Sequence, residues 1–224
     1  MVHALSWSGG KDSALALDLA RDVGLDVRFL FNIHEGDTGR VRFHGVPATL
    51  IAAQADALGL ELIQRATHPA DYETALLDVL DELAARDVDG VLFGNIHLTD
   101  IRAWYEERTR GRGFEHGEPL WGMDPADVVE HVIARGWRAR IVSVNRELGD
   151  VAWLGRELDA DFAAMLRARP DTDAAGERGE YHSFVFDGPL FRTAIDLHEL
   201  GWFEREGHRV LDIDRAEVVQ RPAG

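Results

Sequence analysis

The chain has 224 residues, 46% of them apolar, and a formal net charge of −16 at pH 7. No apolar run approaches the ~20 residues that cross a bilayer, and a strongly acidic chain repels nucleic acid and anionic lipid. Because the chain contains no cysteine, disulfides, thiolate metal sites and cysteine nucleophiles are excluded within it. We therefore expect a globular, cytoplasmic protein that binds neither nucleic acid nor membrane.

The N-terminal segment predicts a strand, a glycine turn and a helix in that order. Residues 3–7 form an apolar run, two glycines follow, and residues 14–20 have the composition of a helix. A helix start after such a turn presents free backbone N–H groups to an anion. The segment therefore predicts a phosphate-binding loop made of Ser8, Gly9, Gly10, Lys11, Asp12 and Ser13. A tight turn that only caps a surface helix is the structural alternative.

Lys11 is the only lysine of the chain, whereas arginine fills the other strongly basic positions. A lysine ammonium is a compact charge on a flexible stem and reaches a crowded phosphate more easily than a guanidinium does. The loop is not a Walker A motif, because Leu5 and Asp12 occupy the positions of its first glycine and its Ser/Thr. We predict Lys11 as a catalytic group and Asp12 as a Mg²⁺ ligand, with Asp37 and Asp100 as weaker candidate ligands.

Helices and strands alternate along the next part of the chain. The spacing predicts helices over residues 47–58, 71–86, 99–108 and 124–135, and strands over residues 27–33, 60–65, 90–94 and 139–144. With the N-terminal strand these make a doubly wound, five-stranded parallel sheet of Rossmann-like type.

The pattern changes after residue 145. A helix over residues 154–169, a loop at 170–176 and short strands at 181–186, 194–197 and 209–213 follow. We predict a nucleotide-binding domain over residues 1–145 and a smaller α+β substrate-binding domain over residues 146–224.

Ligands of open α/β sheets bind beyond the carboxyl ends of the strands, so polar residues there are candidates. The second strand is followed by Asn32, His34, Glu35 and, further along, His44. The fourth strand is followed by Gly94, Asn95 and His97. We expect Asn32, Gly94 and Asn95 to contact the nucleotide. The histidine spacing matches no transition-metal motif, so no such site is expected.

A third group lies near the C-terminus. Glu177 and Glu180 stand in a glycine-rich loop and could hold a cationic group or position an amine nucleophile. An ordinary solvated turn is the alternative. We predict both glutamates as catalytic.

Residues 8–13 resemble the PP-loop, S-G-G-x-D-S, of the ATP pyrophosphatase superfamily. The chain as a whole resembles the diphthine ammonia ligase family at residues 44–45, 54–59, 93–96, 104–106, 118–122 and 176–181. This resemblance implies ATP and Mg²⁺ as cofactors, adenylation of a carboxylate with release of pyrophosphate, and amidation by ammonia. In the named reaction the acceptor is diphthine, a modified histidine of translation elongation factor 2. The matching segments also suggest His44, Glu106, Trp121 and Tyr181 as substrate contacts.

Two positions depart from the family pattern. Asn95 stands where aspartate is usual, and Arg178 stands where glycine or asparagine is usual. The expected partners are ATP, ammonia or ammonium, a carboxylate acceptor that is a protein or a small molecule, and, as an open alternative, a second copy of the chain. An ATP-binding sensor without ligase activity and an amide ligase of a small metabolite remain alternatives.

Overall fold

The computed structural model describes residues 1–219, with side chains described to residue 214. Its first sheet has five parallel strands in the order β3-β2-β1-β4-β5. The strands are β1 (Val2–Ser6), β2 (Asp26–Glu35), β3 (Glu61–Thr67), β4 (Gly90–Leu92) and β5 (Glu115–Gly117). The helices between them are α1 (Lys11–Asp22), α2 (Ala48–Leu58), α3 (Tyr72–Ala84) and α4 (Thr99–Arg110). The predicted α/β class, with a five-stranded parallel sheet, is confirmed.

Successive side chains of β1 point to opposite faces of this sheet, so the strand contributes to the apolar core on both sides. Ala4 packs with α3 residues on one face, whereas the next residue, Leu5, packs with α1 on the other. Both residues are completely buried. The strands are therefore covered by helices on both sides, as parallel sheets require.

The second sheet is antiparallel, with the order β7-β6-β9-β8. It consists of β6 (Arg138–Asn145), β7 (Tyr181–Asp187), β8 (Ala194–Arg205) and β9 (His208–Val219), with α5 (Pro125–Ala134) and α6 (Ala160–Arg167) beside it. One buried apolar cluster runs from α1 and α2 through α5 to β6 and β7. The two sheets therefore share a continuous core.

The strand predicted over residues 139–144 exists, but its assignment to the parallel sheet was wrong. These residues belong to β6, and the fifth parallel strand is β5. An apolar run does not specify which sheet it joins, and the three residues of β5 are too few and too polar for a periodic signal. The predicted domain boundary after residue 145 stays a prediction.

The helix predicted over residues 154–169 is also shorter than expected. Only residues 160–167 form α6, while Glu157 bridges to Arg140 of β6. Gly155 has a φ of 79°, a left-handed conformation that interrupts a helix. Along the described part of the chain, no helix is long and apolar enough to cross a membrane.

Candidate functional site

The turn between β1 and α1 requires both of its glycines. Gly9 has a φ of 84°, and a Cβ atom there would lie 2.6 Å from the Cδ1 atom of Ile51. At Gly10, which precedes the first residue of α1, a Cβ atom would lie 2.8 Å from the Cε1 atom of His44. Any side chain would push this turn away from the residues around it. The strand, turn and helix predicted for residues 3–20 are present.

The ammonium of Lys11 points toward the C-terminal segment. The side chain is 2% exposed. Its Nζ atom donates to Asp12 Oδ2 at 3.0 Å and to the carbonyl of Ala175, and it lies 5.0 Å from the centre of the Tyr181 ring. The backbone N–H of Lys11 donates to Ser183 Oγ at 3.2 Å. Residues about 170 positions apart in sequence thus meet at this one side chain.

Four carboxylates surround Lys11 or its partners: Asp12, Asp173, Glu177 and Glu180. Burial raises the pKa of Asp12, while the charge of Lys11 works in the opposite direction. Burial also raises the pKa of Glu177, against the hydrogen bonds it accepts. Protonation of Asp12 and Glu177 is therefore easier at this site than it would be for the same side chains in water.

The glutamates predicted as catalytic differ in how their oxygens are used. Glu177 accepts hydrogen bonds from the backbone N–H groups of Ile96 at 2.9 Å and His97 at 3.1 Å, one at each oxygen. Glu180 Oε1 accepts from the N–H of Asp173 at 2.9 Å, but its Oε2 atom is buried without a hydrogen-bond partner among the described residues. Glu180 therefore has one oxygen without a partner, whereas each oxygen of Glu177 already accepts a hydrogen bond.

The other unpaired acceptor of the site is the buried Oδ1 atom of Asp12. The described residues contain no group of three histidine, aspartate or glutamate side chains that could hold a metal ion by themselves. Mg²⁺ needs only one or two carboxylates when phosphate oxygens complete its shell. The free oxygen of Asp12 fits that requirement, and its role as a metal ligand stays a prediction.

The site lies where the strand order of the parallel sheet reverses. The chain leaves β1 toward β2 on one side and later crosses to β4 on the other, so the ends of β1 and β4 face a common crevice. Gly94 follows β4, and a Cβ atom there would lie 3.1 Å from the backbone carbon of Asp12. The segment after β4 therefore packs directly on the first turn of α1, and Glu177 binds the same segment.

The two other predicted nucleotide contacts, Asn32 and Asn95, are not exposed at the loop. Asn32 is 4% exposed and donates from Nδ2 to the carbonyl of Trp7 at 2.8 Å, while its Oδ1 atom has no partner in the described chain. Asn95 donates to Glu118 Oε1 at 2.8 Å. His116 Nε2 also lies 3.1 Å from that oxygen. Both asparagines hold neighbouring segments together, and their contact with a nucleotide stays a prediction.

Glu118, which sequence reasoning placed only in a matching segment, is the centre of a second cluster. Arg102 lies 3.5 Å from Glu118 Oε2 and 3.8 Å from Glu106, and its guanidinium is 4.4 Å from the centre of the Trp121 ring. The predicted substrate contacts Glu106 and Trp121 are therefore neighbours through Arg102. The structure shows no contact between this cluster and Lys11.

The remaining predicted substrate contacts, His44 and Tyr181, lie at the loop. His44 Nδ1 donates to the carbonyl of Ser183 at 3.0 Å, and burial lowers the pKa of His44 to about 4. Burial also places the pKa of His182, whose ring is 4.9 Å away, well below its usual value. Tyr181 is 1% exposed and donates its hydroxyl to the carbonyl of Ala174 at 2.7 Å. Substrate binding by His44 and Tyr181 stays a prediction.

Gln54 is a positioning residue that the sequence did not single out for a role. It is completely buried and accepts from Trp7 Nε1 at 2.7 Å. Its amide donates to the carbonyls of Gly9 at 2.9 Å and Val185 at 2.6 Å. One side chain of α2 thus ties the end of β1, the glycine turn and β7 together.

Two family models and one curated relative point to the same family. A family model described as the diphthamide synthase N-terminal domain matches residues 1–116, and one described as the diphthamide synthase C-terminal domain matches residues 124–219. A diphthine–ammonia ligase of Schizosaccharomyces pombe is 25% identical over 215 aligned residues, which cover 85% of this chain and 35% of the relative. The chain thus spans about a third of the length of that relative.

Among solved structures, one described as a predicted subunit of tRNA methyltransferase from Methanocaldococcus jannaschii matches with a TM-score of 0.47. The two chains are 15% identical, and the match covers 84% of this chain and 98% of that one. A likeness of this size does not bear on function.

Proposed function

Because the chain belongs to the diphthamide synthase family, we propose that it is an ATP-dependent ligase that joins ammonia to a carboxylate to form an amide. The name of the yeast relative, diphthine–ammonia ligase, supports a reaction of this kind. The observation that carries the proposal is the contact of Lys11 with Ala175. Through it, the glycine turn meets the acidic segment that bears Glu177 and Glu180.

In the proposed reaction, the phosphates of ATP bind at the start of α1. An oxygen of the acceptor carboxylate attacks the α phosphorus, the bond to the β phosphate breaks, and an acyl adenylate and pyrophosphate form. Ammonia then attacks the acyl carbon, loses a proton and displaces AMP. Mg²⁺, held by Asp12 Oδ1, would neutralise phosphate charge.

Lys11 stabilises the departing pyrophosphate in this scheme. A lysine ammonium has three N–H donors, and in the structure two of them are directed at Asp12 and Ala175. The third donor is left for a phosphate oxygen. The two existing contacts fix the position of the ammonium before ATP binds, so little reorganisation is needed in the transition state.

Glu180 is the better of the two glutamates for the ammonia step. Its free, buried Oε2 atom can accept a hydrogen bond from ammonium or take the proton that the attacking nitrogen releases. Glu177 instead fixes the segment after β4 through Ile96 and His97. We therefore assign ammonium binding to Glu180 and a positioning role to Glu177.

Product analysis tests this function. The wild-type protein is incubated with ATP, Mg²⁺, ammonium chloride and a panel of carboxylates, and AMP and pyrophosphate are quantified. We expect AMP to accumulate in quantity only when ammonium and a suitable carboxylate are both present. Tight ATP binding without AMP formation under any acceptor would contradict the ligase and favour a nucleotide sensor.

Two conservative variants separate the roles of the glutamates. Glu180→Gln should raise the KM for ammonium by about tenfold or more, because a charge-assisted hydrogen bond is lost. Glu177→Gln should leave that KM within about threefold and instead lower the unfolding midpoint, because an amide N–H would face a backbone donor. Equal effects of both variants on the ammonium KM would refute the division of roles.

A further inference from the structure

Asp173 is a buried carboxylate at the start of the segment that meets Lys11. Its side chain is 2% exposed. It lies two residues before Ala175, whose carbonyl accepts from Lys11 Nζ. A carboxylate is costly to bury unless its oxygens accept hydrogen bonds, so the partners of Asp173 show which groups it holds in place.

Both carboxylate oxygens of Asp173 accept hydrogen bonds. Oδ1 accepts from the backbone N–H of Ala175 at 2.9 Å, which closes a turn of the Asx type. Oδ2 accepts from His97 Nε2 at 2.6 Å. The carboxylate is therefore fixed by the backbone on one side and by the imidazole of His97 on the other.

The turn closed by Asp173 acts on the residue that binds the ammonium of Lys11. The N–H of Ala175 is bound to Asp173, while the carbonyl of Ala175 accepts from Lys11. The next N–H, that of Gly176, donates back to the carbonyl of Asp173 at 2.9 Å. The direction of the Ala175 carbonyl, and with it the position of the ammonium, thus depends on this turn.

The backbone of Asp173 contacts a second group of the site. Its N–H donates to Glu180 Oε1 at 2.9 Å. Glu180 Oε2 is the oxygen left without a partner among the described residues, and it is the atom assigned above to ammonium. A displacement of residue 173 would therefore move both the ammonium of Lys11 and the carboxylate of Glu180.

A turn of this type can also serve the fold alone, and the chain contains such a turn at Asp150. Its Oδ1 atom accepts from the N–H of Ala152, two residues further on, at 3.0 Å. Ala152 belongs to a short 3₁₀ helix, Val151–Trp153. The turn at Asp173 differs because the residue that it holds is a direct partner of Lys11.

Resting on the ligase function proposed above, we propose that Asp173 is a positioning residue that fixes Lys11 for adenylation and Glu180 for the ammonia step. Its carboxylate acts on Lys11 through the N–H of Ala175, and its own N–H acts on Glu180 through Oε1. Asp173 itself contacts no reacting atom in this scheme. The two steps of the reaction then depend on the placement of one residue.

Lys11 reports its own position, because it is the only lysine of the chain. In protein labelled with ¹³C-lysine and carrying no lysine in a tag, the Cε–H signal of this side chain is a single NMR resonance. Asp173→Ala removes the acceptor of the Ala175 N–H and should shift this resonance. Asp173→Asn keeps a carbonyl oxygen for that N–H and should restore most of the wild-type position. Asp150→Ala is the matched control and should leave the resonance unchanged.

The same variants are compared in the AMP assay. Asp173→Ala should lower kcat by about tenfold with the KM for ATP changed by less than about threefold, because a misplaced ammonium loses stabilisation made in the transition state. The KM for ammonium should rise by about threefold or more, because Glu180 loses its fixed position. Asp173→Asn should keep kcat within about threefold of the wild type, since an amide oxygen closes the same turn.

An unchanged Lys11 resonance in Asp173→Ala, or an equal shift in Asp173→Asn, would overturn the proposal. Equal losses of kcat in Asp173→Ala and Asp150→Ala would also overturn it. If Asp173→Ala does not fold, Asp173→Ser takes its place, because a hydroxyl closes such a turn more weakly and should shift the resonance in the same comparison. A resonance that shifts as expected in a protein that forms no AMP with any acceptor would support the positioning of Lys11 by Asp173 and contradict the ligase.

Discussion

Gln54 offers a quantitative test of how the phosphate loop is held. In Gln54→Leu the indole N–H of Trp7 loses its acceptor inside the core, which costs about 1–3 kcal/mol. The carbonyl of Gly9 loses one donor but keeps the N–H of Val185 at 2.9 Å, so its loss is smaller. The carbonyl of Val185 also loses the amide of Gln54. We expect the free energy of unfolding to fall by about 2–4 kcal/mol.

The assay is urea unfolding followed by tryptophan fluorescence. Gln64→Leu is the matched control, because Gln64 is half-buried and makes a single bond to the carbonyl of Ala48, so it should cost less than about 1 kcal/mol. In a Trp7→Phe background, Gln54→Leu should cost about 1–2 kcal/mol less than in the wild type. A cost below about 0.5 kcal/mol in the wild type, or no coupling to Trp7, would refute the reasoning.

Three further predictions concern the same site. Gly94→Ala should lower the unfolding free energy by about 1–3 kcal/mol, because the added methyl would lie 3.1 Å from the backbone of α1. Gly36→Ala is the control and should cost little, because no atom lies nearer than 3.7 Å to the added methyl. Urea unfolding compares the two variants. The free energy of unfolding should fall as the pH is lowered from about 6.5 toward 4. The pKa values of His44 and His182 are depressed in the folded chain, so in this pH range the unfolded chain binds protons that the folded chain does not. Unfolding midpoints measured across this pH range should fall less steeply in His44→Gln. Lys11→Ala should lower turnover by roughly 10²- to 10³-fold in a pyrophosphate-release assay. Lys11→Arg should not restore it, because a wide planar guanidinium cannot keep the point contacts that the ammonium makes with Asp12 and the carbonyl of Ala175. Wild-type turnover in either variant would contradict the role of Lys11.

Local signals in the sequence predicted most of the parallel sheet and its helices. The amphipathic spacing of Leu76, Val79, Leu80 and Leu83 gave α3, and the order of apolar run, glycines and helix gave the turn at residues 8–13. Both features are encoded by residues close together in the chain. Assignment of β6 to the wrong sheet has the opposite cause, because strand pairing is a long-range property that an apolar run does not encode.

The site was only partly predictable for the same reason. Glu177 and Glu180 stood out through composition, but the difference between them depends on backbone N–H groups of residues 96, 97 and 173. Gln54 is an ordinary helix residue in sequence, and only the fold brings it to Gly9 and Val185. The neighbours of Lys11 in the C-terminal segment likewise follow from tertiary packing alone.

The central claim is that the triphosphate of ATP lies on the glycine turn with Lys11 beside it. A crystal structure with α,β-methylene-ATP and Mg²⁺ tests this directly. We predict phosphate oxygens within hydrogen-bond distance of Lys11 Nζ and of backbone N–H groups in residues 8–13. A nucleotide bound elsewhere, or phosphates that do not contact Lys11, would contradict the account.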